Sequence, residues 1–446
     1  MKPLKLSTST LAAFAGPAAP ISALGLPIAV YLPPFYAGNL GLGLALVGGI
    51  FMLTRFWDVV TDPVLGVLSD QFTTRWGRRR PWIVLATPIL MFCAYRVFMP
   101  VPPVSGAYLL GWMILLYAGW TLLTISHMSW GAELSPDYHE RSRIQAWREV
   151  ALILGMITVL ALPAVIERSG GASADRVAAM GWFIVFLLPL TVVLAVWKVP
   201  EGRVPPPAPI GWRRALAIIV GNRPLRRVLS MDLISGYAGG IVASLFLFVA
   251  DSRLGLGRWA SLLLLVYFAS GCICVPIMVR VSYRWGKHHT LAASSIFSAV
   301  TLPLMFLIPN GNVLVAFALF ALFGVNMGAG PFLFRSIMAD VSDEDRVVSG
   351  AQRTGLYFSL LTMTNKVGNA LAIGSIYLLL DWIGYVPGAE NTPYAVEGLM
   401  YLYVFPPVLI GLLVGVALWN FPLDLKRQQE LRTILDQRDT AAALAD

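Results

Sequence analysis

Charged residues are scarce in this chain, and the motifs of several enzyme classes are missing from it. Of its 446 residues, 13% are charged and 57% are hydrophobic, whereas a soluble domain normally has about 25% charged residues. The three cysteines all lie inside apolar segments, and no HExxH, GxSxG or P-loop (GxxxxGKS/T) motif occurs. The sequence therefore excludes an ordinary water-soluble domain and gives no sign of a zinc protease, a serine hydrolase or an ATP-driven pump. We expect no enzymatic activity and no cofactor.

Long apolar runs, separated by short polar segments, fill the chain instead. A transmembrane helix needs roughly 20 apolar residues. The runs predict twelve spans, at 12–37, 41–69, 82–100, 107–131, 144–166, 178–197, 229–250, 259–281, 289–308, 313–337, 354–382 and 396–420. The first run contains five prolines, which a span tolerates where neighbouring helices satisfy the backbone. The predicted fold class is therefore an all-α membrane protein with twelve transmembrane helices.

Basic residues are concentrated in alternate loops between the predicted helices. One set of loops contains Arg75, Arg78, Arg79, Arg80, Arg141, Arg143, Lys198, Arg203, Arg213, Arg214, Arg223, Arg226, Arg227, Arg284, Lys287, Arg346 and Arg353. The opposite loops are nearly free of them, with the exceptions Arg168, Arg176, Arg253 and Arg258. Because cytoplasmic loops carry the excess of Lys and Arg, we expect a multi-pass protein of the cell inner membrane with both termini cytoplasmic. The same distribution explains the net charge of +9 without a nucleic-acid partner.

The two halves of the chain repeat one another. The loop RWGRRRPW at 75–82 is matched by RWGKHHTL at 284–291, and AELSPDYHERSR at 132–143 by ADVSDEDR at 339–346. The similar offsets of the two pairs indicate an internal duplication, and such parallel repeats occur in the major facilitator architecture. The predicted domains are a six-helix bundle at 1–198, a cytoplasmic linker at 199–228, a second six-helix bundle at 229–425 and a cytoplasmic tail at 426–446.

Ionisable residues inside a span cost roughly 2.5–3.5 kcal/mol each on insertion scales, so they are functional candidates. Asp58 and Asp62 lie four residues apart on the second predicted helix, which puts their carboxylates on one helical face. Two carboxylates in a low-dielectric site cannot both stay charged without a cation or a basic partner. We therefore predict that the pair binds H⁺ or Na⁺, and that Lys366 or Arg148 occupies it when the ion is absent. The alternative is a static charge network with Arg55 that fixes helix packing.

The fourth predicted helix contains two candidates for solute contacts. His127 follows Ser126, and because an unperturbed imidazole titrates near neutral pH, it is a candidate proton relay or substrate ligand. The alternative is a packed histidine bonded to a backbone carbonyl. Trp130 is a candidate stacking surface for a sugar or an interfacial anchor.

The basic loop after the second predicted helix is a candidate for a cytoplasmic gate. Its residues Arg75, Arg78 and Arg80 can bond helix C-terminal carbonyls or the acidic residues Asp343 and Glu344. The alternative is that these arginines only set the membrane topology.

The stretch 55–84, RFWDVVTDPVLGVLSDQFTTRWGRRRPWIV, resembles the signature of the glycoside-pentoside-hexuronide:cation symporters, the melibiose permease family. The shared pattern is W-D-x-x-x-D-P followed by a basic loop that ends in P-W. Further matches occur at 126–143, Arg148, 364–374 and 383–390, so the likeness covers nearly the whole chain in the same order. The resemblance implies a member of the major facilitator superfamily that couples solute movement to a cation.

The resemblance also implies roles for particular residues. The two aspartates that bind the coupling cation in the family fall on Asp58 and Asp62. The arginine beneath the sugar falls on Arg148, the tryptophan of the fourth helix on Trp130 and the lysine of the eleventh on Lys366.

Two positions depart from the family pattern. An acidic residue of the fourth helix falls on Ser126, which is therefore a candidate cation ligand. The change to serine removes an anionic ligand from a Na⁺ site and makes H⁺ coupling at least as favoured. An aspartate that holds galactoside hydroxyls falls near Ser22, which is therefore a candidate solute contact. The change to serine makes a melibiose-like galactoside disfavoured as the solute.

These observations predict a cation-coupled symporter of a sugar or glycoside that works by alternating access. One alternative is a transporter of lysophospholipids or other amphiphiles, because animal lysophospholipid transporters share the scaffold and the first helix is apolar. The other is a non-transporting sensor, against which the retained ionisable residues argue. The expected partners are a small solute and membrane lipid, and we expect a monomer.

Overall fold

The computed structural model describes residues 5–71, 74–135, 138–201, 218–327, 329–350, 353–424, 427–431, 433–435 and 437. Within these ranges the β pairing is limited to an isolated bridge between Thr74 and Gly77. Twelve long helices account for most of the described residues: α1 Thr8–Asn39, α2 Leu44–Gln71, α3 Arg80–Phe98, α4 Gly106–Glu133, α5 Tyr138–Arg168, α6 Ser173–Lys198, α7 Arg223–Arg253, α8 Ala260–Trp285, α9 Lys287–Leu307, α10 Val313–Ser349, α11 Thr354–Trp382 and α12 Pro393–Trp419. Each predicted span overlaps one of these helices, and the all-α fold class is confirmed.

The helices have the length and the surface of transmembrane segments. Among the described residues, eleven helices are long and apolar enough to cross a membrane, and α11 is the one long helix outside this set. Large apolar side chains lie on outer surfaces, such as Phe186, Ile273 and Val416, which are 67%, 73% and 72% exposed. Apolar exposure of this extent requires a bilayer rather than water, so the chain is a multi-pass membrane protein.

Prolines shape α1 without ending it. The helix runs as α-helical segments joined by wider π-helical turns at Pro27–Tyr31 and Phe35–Asn39. Because a proline lacks the amide hydrogen of a regular helical bond, a wider turn is one way to continue the helix past it. The first predicted span, 12–37, therefore lies inside a longer helix.

The chain is organised in two compact units. Unit 1 consists of Met1–Pro207, Ala243–Leu265 and Ile373–Leu399, and unit 2 of Ala208–Val242, Val266–Ala372 and Met400–Asp446. The predicted linker and tail remain predictions, because residues 202–217 and most of the tail lie outside the described residues.

Unit 1 contains α1–α6, the C-terminal ends of α7 and α11 and the N-terminal ends of α8 and α12. In it α2 packs on α4, α3 on α4 and α6, and α1 on α5. Glycines let α2 approach α11 closely, since a Cβ at Gly48 would lie 2.7 Å from the Cβ of Tyr377. The helix that carries the predicted acid pair is thus held on two sides within one unit.

Unit 2 is built around an apolar core contributed by α7, α9, α10, α11 and α12. Its buried members include Leu225, Leu291, Leu333, Tyr357 and Leu418. The crossing of α7 and α11 is close, because a Cβ at Gly236 would lie 2.9 Å from the carbonyl oxygen of Asn365.

Candidate functional site

Asp58 and Asp62 meet at one hydroxyl group of α4. The Thr121 Oγ1 lies 2.7 Å from the Asp58 Oδ1 and 2.8 Å from the Asp62 Oδ1. Asp58 is 1% exposed, and Asp62 is half-buried. The structure therefore brings the two carboxyl groups together, as their four-residue spacing predicts. That they bind a cation remains a prediction.

The hydroxyl contacts limit the charge that this pair can carry. A threonine hydroxyl has one hydrogen, so it donates to one of two acceptor oxygens at a time. If both Asp58 and Asp62 were ionised, Thr121 could donate to one carboxylate. Its Oγ1 and the oxygen of the other carboxylate would then be two acceptors at hydrogen-bond distance. A proton on one carboxyl group, or a cation among the three oxygens, removes this conflict. The arrangement thus suits a site that takes up one positive ion.

Arg55 lies beside the acid pair rather than in it. Its Nη1 is 4.0 Å from the Asp58 Oδ2, beyond hydrogen-bond distance. The guanidinium lies over the rings of Tyr117 and Trp120, at 4.9 Å and 5.8 Å from their centroids. The aromatic rings stabilise the arginine through cation–π attraction, so Arg55 contributes a nearby positive charge without closing the site.

Ser126 and Ser22 have different surroundings. The Ser126 side chain is fully buried, and its Oγ has no hydrogen-bond partner among the described residues. The Ser22 Oγ lies 3.0 Å from the carbonyl oxygen of Ala19 and 2.7 Å from that of Leu152, and it donates to one of them at a time. Ser22 therefore ties α1 to α5, while its predicted contact with a solute remains a prediction.

His127 and Trp130 are fully buried in the packing of α4 against α1. The His127 Nε2 lies 2.7 Å from the carbonyl oxygen of Phe14, and its ring stacks on the Phe14 ring at 4.6 Å. The Trp130 Nε1 donates to the carbonyl oxygen of Pro200 at 3.0 Å, and Arg80 lies over its ring. His127 therefore has the environment of a packed histidine bonded to a backbone carbonyl, which is the alternative to a proton relay. In this conformation neighbours also cover Trp130.

The remaining candidates for solute contacts lie on two helices. Arg148 on α5 and Lys366 on α11 are both half-buried. Arg148 belongs to unit 1 and Lys366 to unit 2. Their predicted roles toward the solute remain predictions.

The basic loop between α2 and α3 is bound to Glu133, at the end of α4, and to Glu201. Arg78 lies 2.5 Å and Arg79 2.8 Å from the Glu133 Oε1. Arg80 lies 3.5 Å from the Glu201 Oε2 and bonds the carbonyl oxygen of Val199, whereas Arg75 is exposed. Arg79 and Glu133 are not among the residues that the sequence predicts for this gate, although both lie in the repeated motifs.

The two sequence repeats form the same ion pair, one in each unit. Arg78 and Glu133 of the first half match Lys287 and Asp340 of the second, whose Nζ and Oδ1 lie 2.7 Å apart. Asp343 and Glu344 follow Asp340 on α10 and are half-buried. The duplication therefore extends from the sequence to the contacts. The role of Asp343 and Glu344 in a gate remains a prediction.

A second polar cluster of unit 1 joins the end of α5 to the start of α8. The Glu167 carboxylate accepts hydrogen bonds from the Ser261 N–H at 3.0 Å and Oγ at 2.7 Å, and it pairs with Arg176 at 2.7 Å. The Tyr31 hydroxyl donates to the Ser261 Oγ at 2.8 Å. A cavity of about 740 Å³ lies beside this cluster, lined by Glu167, Arg176 and Tyr385 among others. Burial raises the pKa of the loop residue Tyr385 to about 12.

The chain has twelve long helices with parallel repeats, a matched ion pair in each half and an acid pair within a span. These features are typical of a transporter of the major facilitator type. A family model described as MFS/sugar transport protein matches residues 13–425, and the chain belongs to this family. The predicted family resemblance is confirmed, as is the prediction that the protein is a transporter rather than an enzyme.

Named relatives and a solved structure agree with this assignment. The chain is 24% identical to the glucuronide carrier protein homolog of Escherichia coli, over 92% of this chain and 91% of the relative. It is also 24% identical to the human sodium-dependent lysophosphatidylcholine symporter 1, over 88% of this chain and 79% of the relative. The crystal structure of the nucleoside transporter NupG matches the fold with a TM-score of 0.67 at 13% identity, covering 93% of this chain and 100% of that one.

Proposed function

We propose that the protein is a cation-coupled symporter of a sugar or glycoside that works by alternating access in the cell inner membrane, with both termini cytoplasmic. The observation that carries the proposal is the contact of Asp58 and Asp62 with the single hydroxyl of Thr121. Three oxygens inside a membrane span, two of them from acids, suit a small cation such as H⁺ or Na⁺.

In the proposed cycle, the charge of the Asp58 and Asp62 pair couples cation binding to solute movement. With both acids ionised and no cation bound, the pair carries two like charges in a low-dielectric region, which is unfavourable. A bound H⁺ or Na⁺ lowers this charge and lets the helices around it pack more closely. Cation binding therefore precedes solute binding in the proposed cycle, and Arg148 and Lys366 supply positive groups toward the solute.

The coupling is tested by solute uptake into proteoliposomes under an imposed H⁺ or Na⁺ gradient. We expect Asp58→Asn and Asp62→Asn to lower gradient-driven uptake about tenfold or more, because hydrogen bonds and ion contacts of a charged group contribute about 1.5–3 kcal/mol. Glu390→Gln is the matched control, since Glu390 is an exposed acid in the loop after α11. The coupling proposal is wrong if both aspartate variants take up solute at the rate of this control.

The sugar class is supported by membership of a family described as MFS/sugar transport protein and by the similarity to a glucuronide carrier homolog. The second candidate solute is a lysophospholipid, favoured by the similarity to the human lysophosphatidylcholine symporter. A competition screen separates them: we expect glycosides, pentosides or hexuronides to inhibit uptake. Inhibition by lysophosphatidylcholine without inhibition by sugars would select the lipid.

A further inference from the structure

Asp232 is a buried acid of unit 2 for which the proposed cycle has no role. It lies on α7 and is 4% exposed. The groups that act on it come from two other helices of the unit. Thr364 and Asn365 of α11 bond its carboxyl group, and Arg335 of α10 is the charged residue that acts on it electrostatically.

Asp232 differs from the other buried acids in having no close basic partner. Five further acids are buried among the described residues, and each has a Lys or Arg nitrogen within 4.0 Å: Asp58, Glu133, Glu140, Glu167 and Asp340. No such nitrogen of the described residues lies that close to Asp232, and Arg335 forms no ion pair with it. Burial of a carboxyl group without a countercharge favours its protonated form.

The hydrogen bonds of Thr364 can accommodate the protonated form. Its Oγ1 lies 2.8 Å from the Asp232 Oδ2 and 3.0 Å from the carbonyl oxygen of Leu361. The hydroxyl has one hydrogen and cannot donate to both oxygens. If Thr364 donates to the Leu361 carbonyl, a protonated Asp232 can donate to Thr364, and both contacts become normal hydrogen bonds.

The crossing of α7 and α11 holds this contact in place. A Cβ at Gly236, one turn after Asp232, would lie 2.9 Å from the Asn365 carbonyl oxygen, and Gly368 packs directly against the backbone at Leu233. Small residues therefore bring the two backbones together within one turn of the contact between the acid and the hydroxyl. Any sliding of α11 along α7 must change the distance between Asp232 and Thr364.

We propose that Asp232 is a proton-binding site of unit 2, separate from the Asp58 and Asp62 pair of unit 1. It holds a proton in this packing of α7 and α11. When α11 shifts and water or Arg335 reaches the carboxyl group, the proton passes to water and the carboxylate remains. Binding of the proton does not depend on the proposed function, whereas linking this proton to solute movement rests on it.

Infrared difference spectroscopy of the purified full-length protein tests the proton directly. A protonated buried carboxyl group gives a carbonyl stretching band that disappears when the pH is raised enough to ionise the group. We expect this band in the wild type, its loss in Asp232→Asn, and its displacement in Thr364→Val, because the latter removes the group that accepts the proton's hydrogen bond. Thr362→Val is the matched control, since the exposed Thr362 bonds only its own helix at Phe358, and it should leave the band unchanged.

A spectrum of Asp232→Asn that equals the wild-type spectrum overturns the proposal. So does an unchanged band in Thr364→Val, a variant that keeps the acid if Asp232→Asn does not fold. Solute counterflow across a pH series supplies the link to transport, and we expect Asp232→Asn to flatten its pH profile. If the band behaves as expected and no gradient drives uptake of any solute, the proposed symport fails while the proton site stands.

Discussion

At the scale of single residues, the acid pair depends on a neutral neighbour. Asp58 and Asp62 supply the charge, but the Thr121 hydroxyl fixes where their oxygens lie, at 2.7 Å and 2.8 Å from its Oγ1. A neutral hydroxyl is both a donor to a carboxylate and a ligand for a small cation. It can therefore remain in contact with the pair whether or not an ion is bound.

Thr121→Val tests this contribution, because valine keeps the shape and removes the hydroxyl. We expect a roughly tenfold loss of apparent affinity for the coupling cation, since a hydrogen bond to a charged group contributes about 1.5–3 kcal/mol. The maximal rate at saturating cation should change less. The measurement is initial uptake as a function of cation concentration.

Thr124→Val is the control on the same helix, because the Thr124 hydroxyl has no hydrogen-bond partner among the described residues. Equal cation affinities of the two variants would contradict the role of Thr121.

The sequence predicted the two acids because charge inside an apolar run is conspicuous and a spacing of four residues puts both on one face. It did not predict Thr121, because a threonine in a span carries no such signal and its approach to the acids is set by the packing of α4 on α2.

At the scale of helices and loops, the duplicated motifs produce the same local structure twice. Each repeat has a glycine with positive φ, Gly77 at 110° and Gly286 at 85°, a conformation that favours glycine. The next residue, Arg78 or Lys287, then reaches an acid of a neighbouring helix. Sequence comparison of the halves could align these residues, but only packing decides which acid each base meets.

Glu133→Gln tests what the first of these ion pairs contributes. Arg79 is 3% exposed, so the variant removes a carboxylate that binds a buried guanidinium, and breaking a buried pair costs about 3–5 kcal/mol. We expect a melting temperature several degrees lower in detergent, measured by intrinsic tryptophan fluorescence.

Glu430→Gln supplies the comparison, because Glu430 pairs with Arg427 at the surface and its side chain is 61% exposed. An exposed pair contributes about 0–1 kcal/mol, so the melting temperature of Glu430→Gln should stay close to that of the wild type. Equal shifts in the two variants would show that burial of the Glu133 contact does not matter.

At the scale of the whole molecule, two of the four arginines that depart from the topology pattern have contacts of their own. Arg176 pairs with Glu167 at 2.7 Å, and Arg168 lies 4.6 Å from the centroid of the Trp259 ring. Both are held by protein groups, in a loop that has no other Lys or Arg. The count of twelve helices followed from the apolar runs, whereas the partition into two compact units depends on contacts between distant segments that no apolar run reveals.

Cysteine labelling tests the proposed orientation. In a background without Cys93, Cys272 and Cys274, we expect Asn310→Cys to react with a membrane-impermeant thiol reagent added to intact cells, because its loop lies opposite the basic loops. Gln437→Cys, near the C-terminus, should react only after the cells are opened. Labelling of Gln437→Cys in intact cells would reverse the proposed orientation.

The proposed symport requires that one cation bind at Asp58 and Asp62 and cross the membrane together with the solute. The most direct measurement is the current that a solute jump evokes in proteoliposomes adsorbed on a solid-supported membrane. In the wild type we expect a transient current that depends on either H⁺ or Na⁺. Combining Asp58→Asn and Asp62→Asn should abolish it, while solute still binds because the neutral amides replace the cation-bound pair. A current of undiminished size in that double variant would contradict the proposed symport.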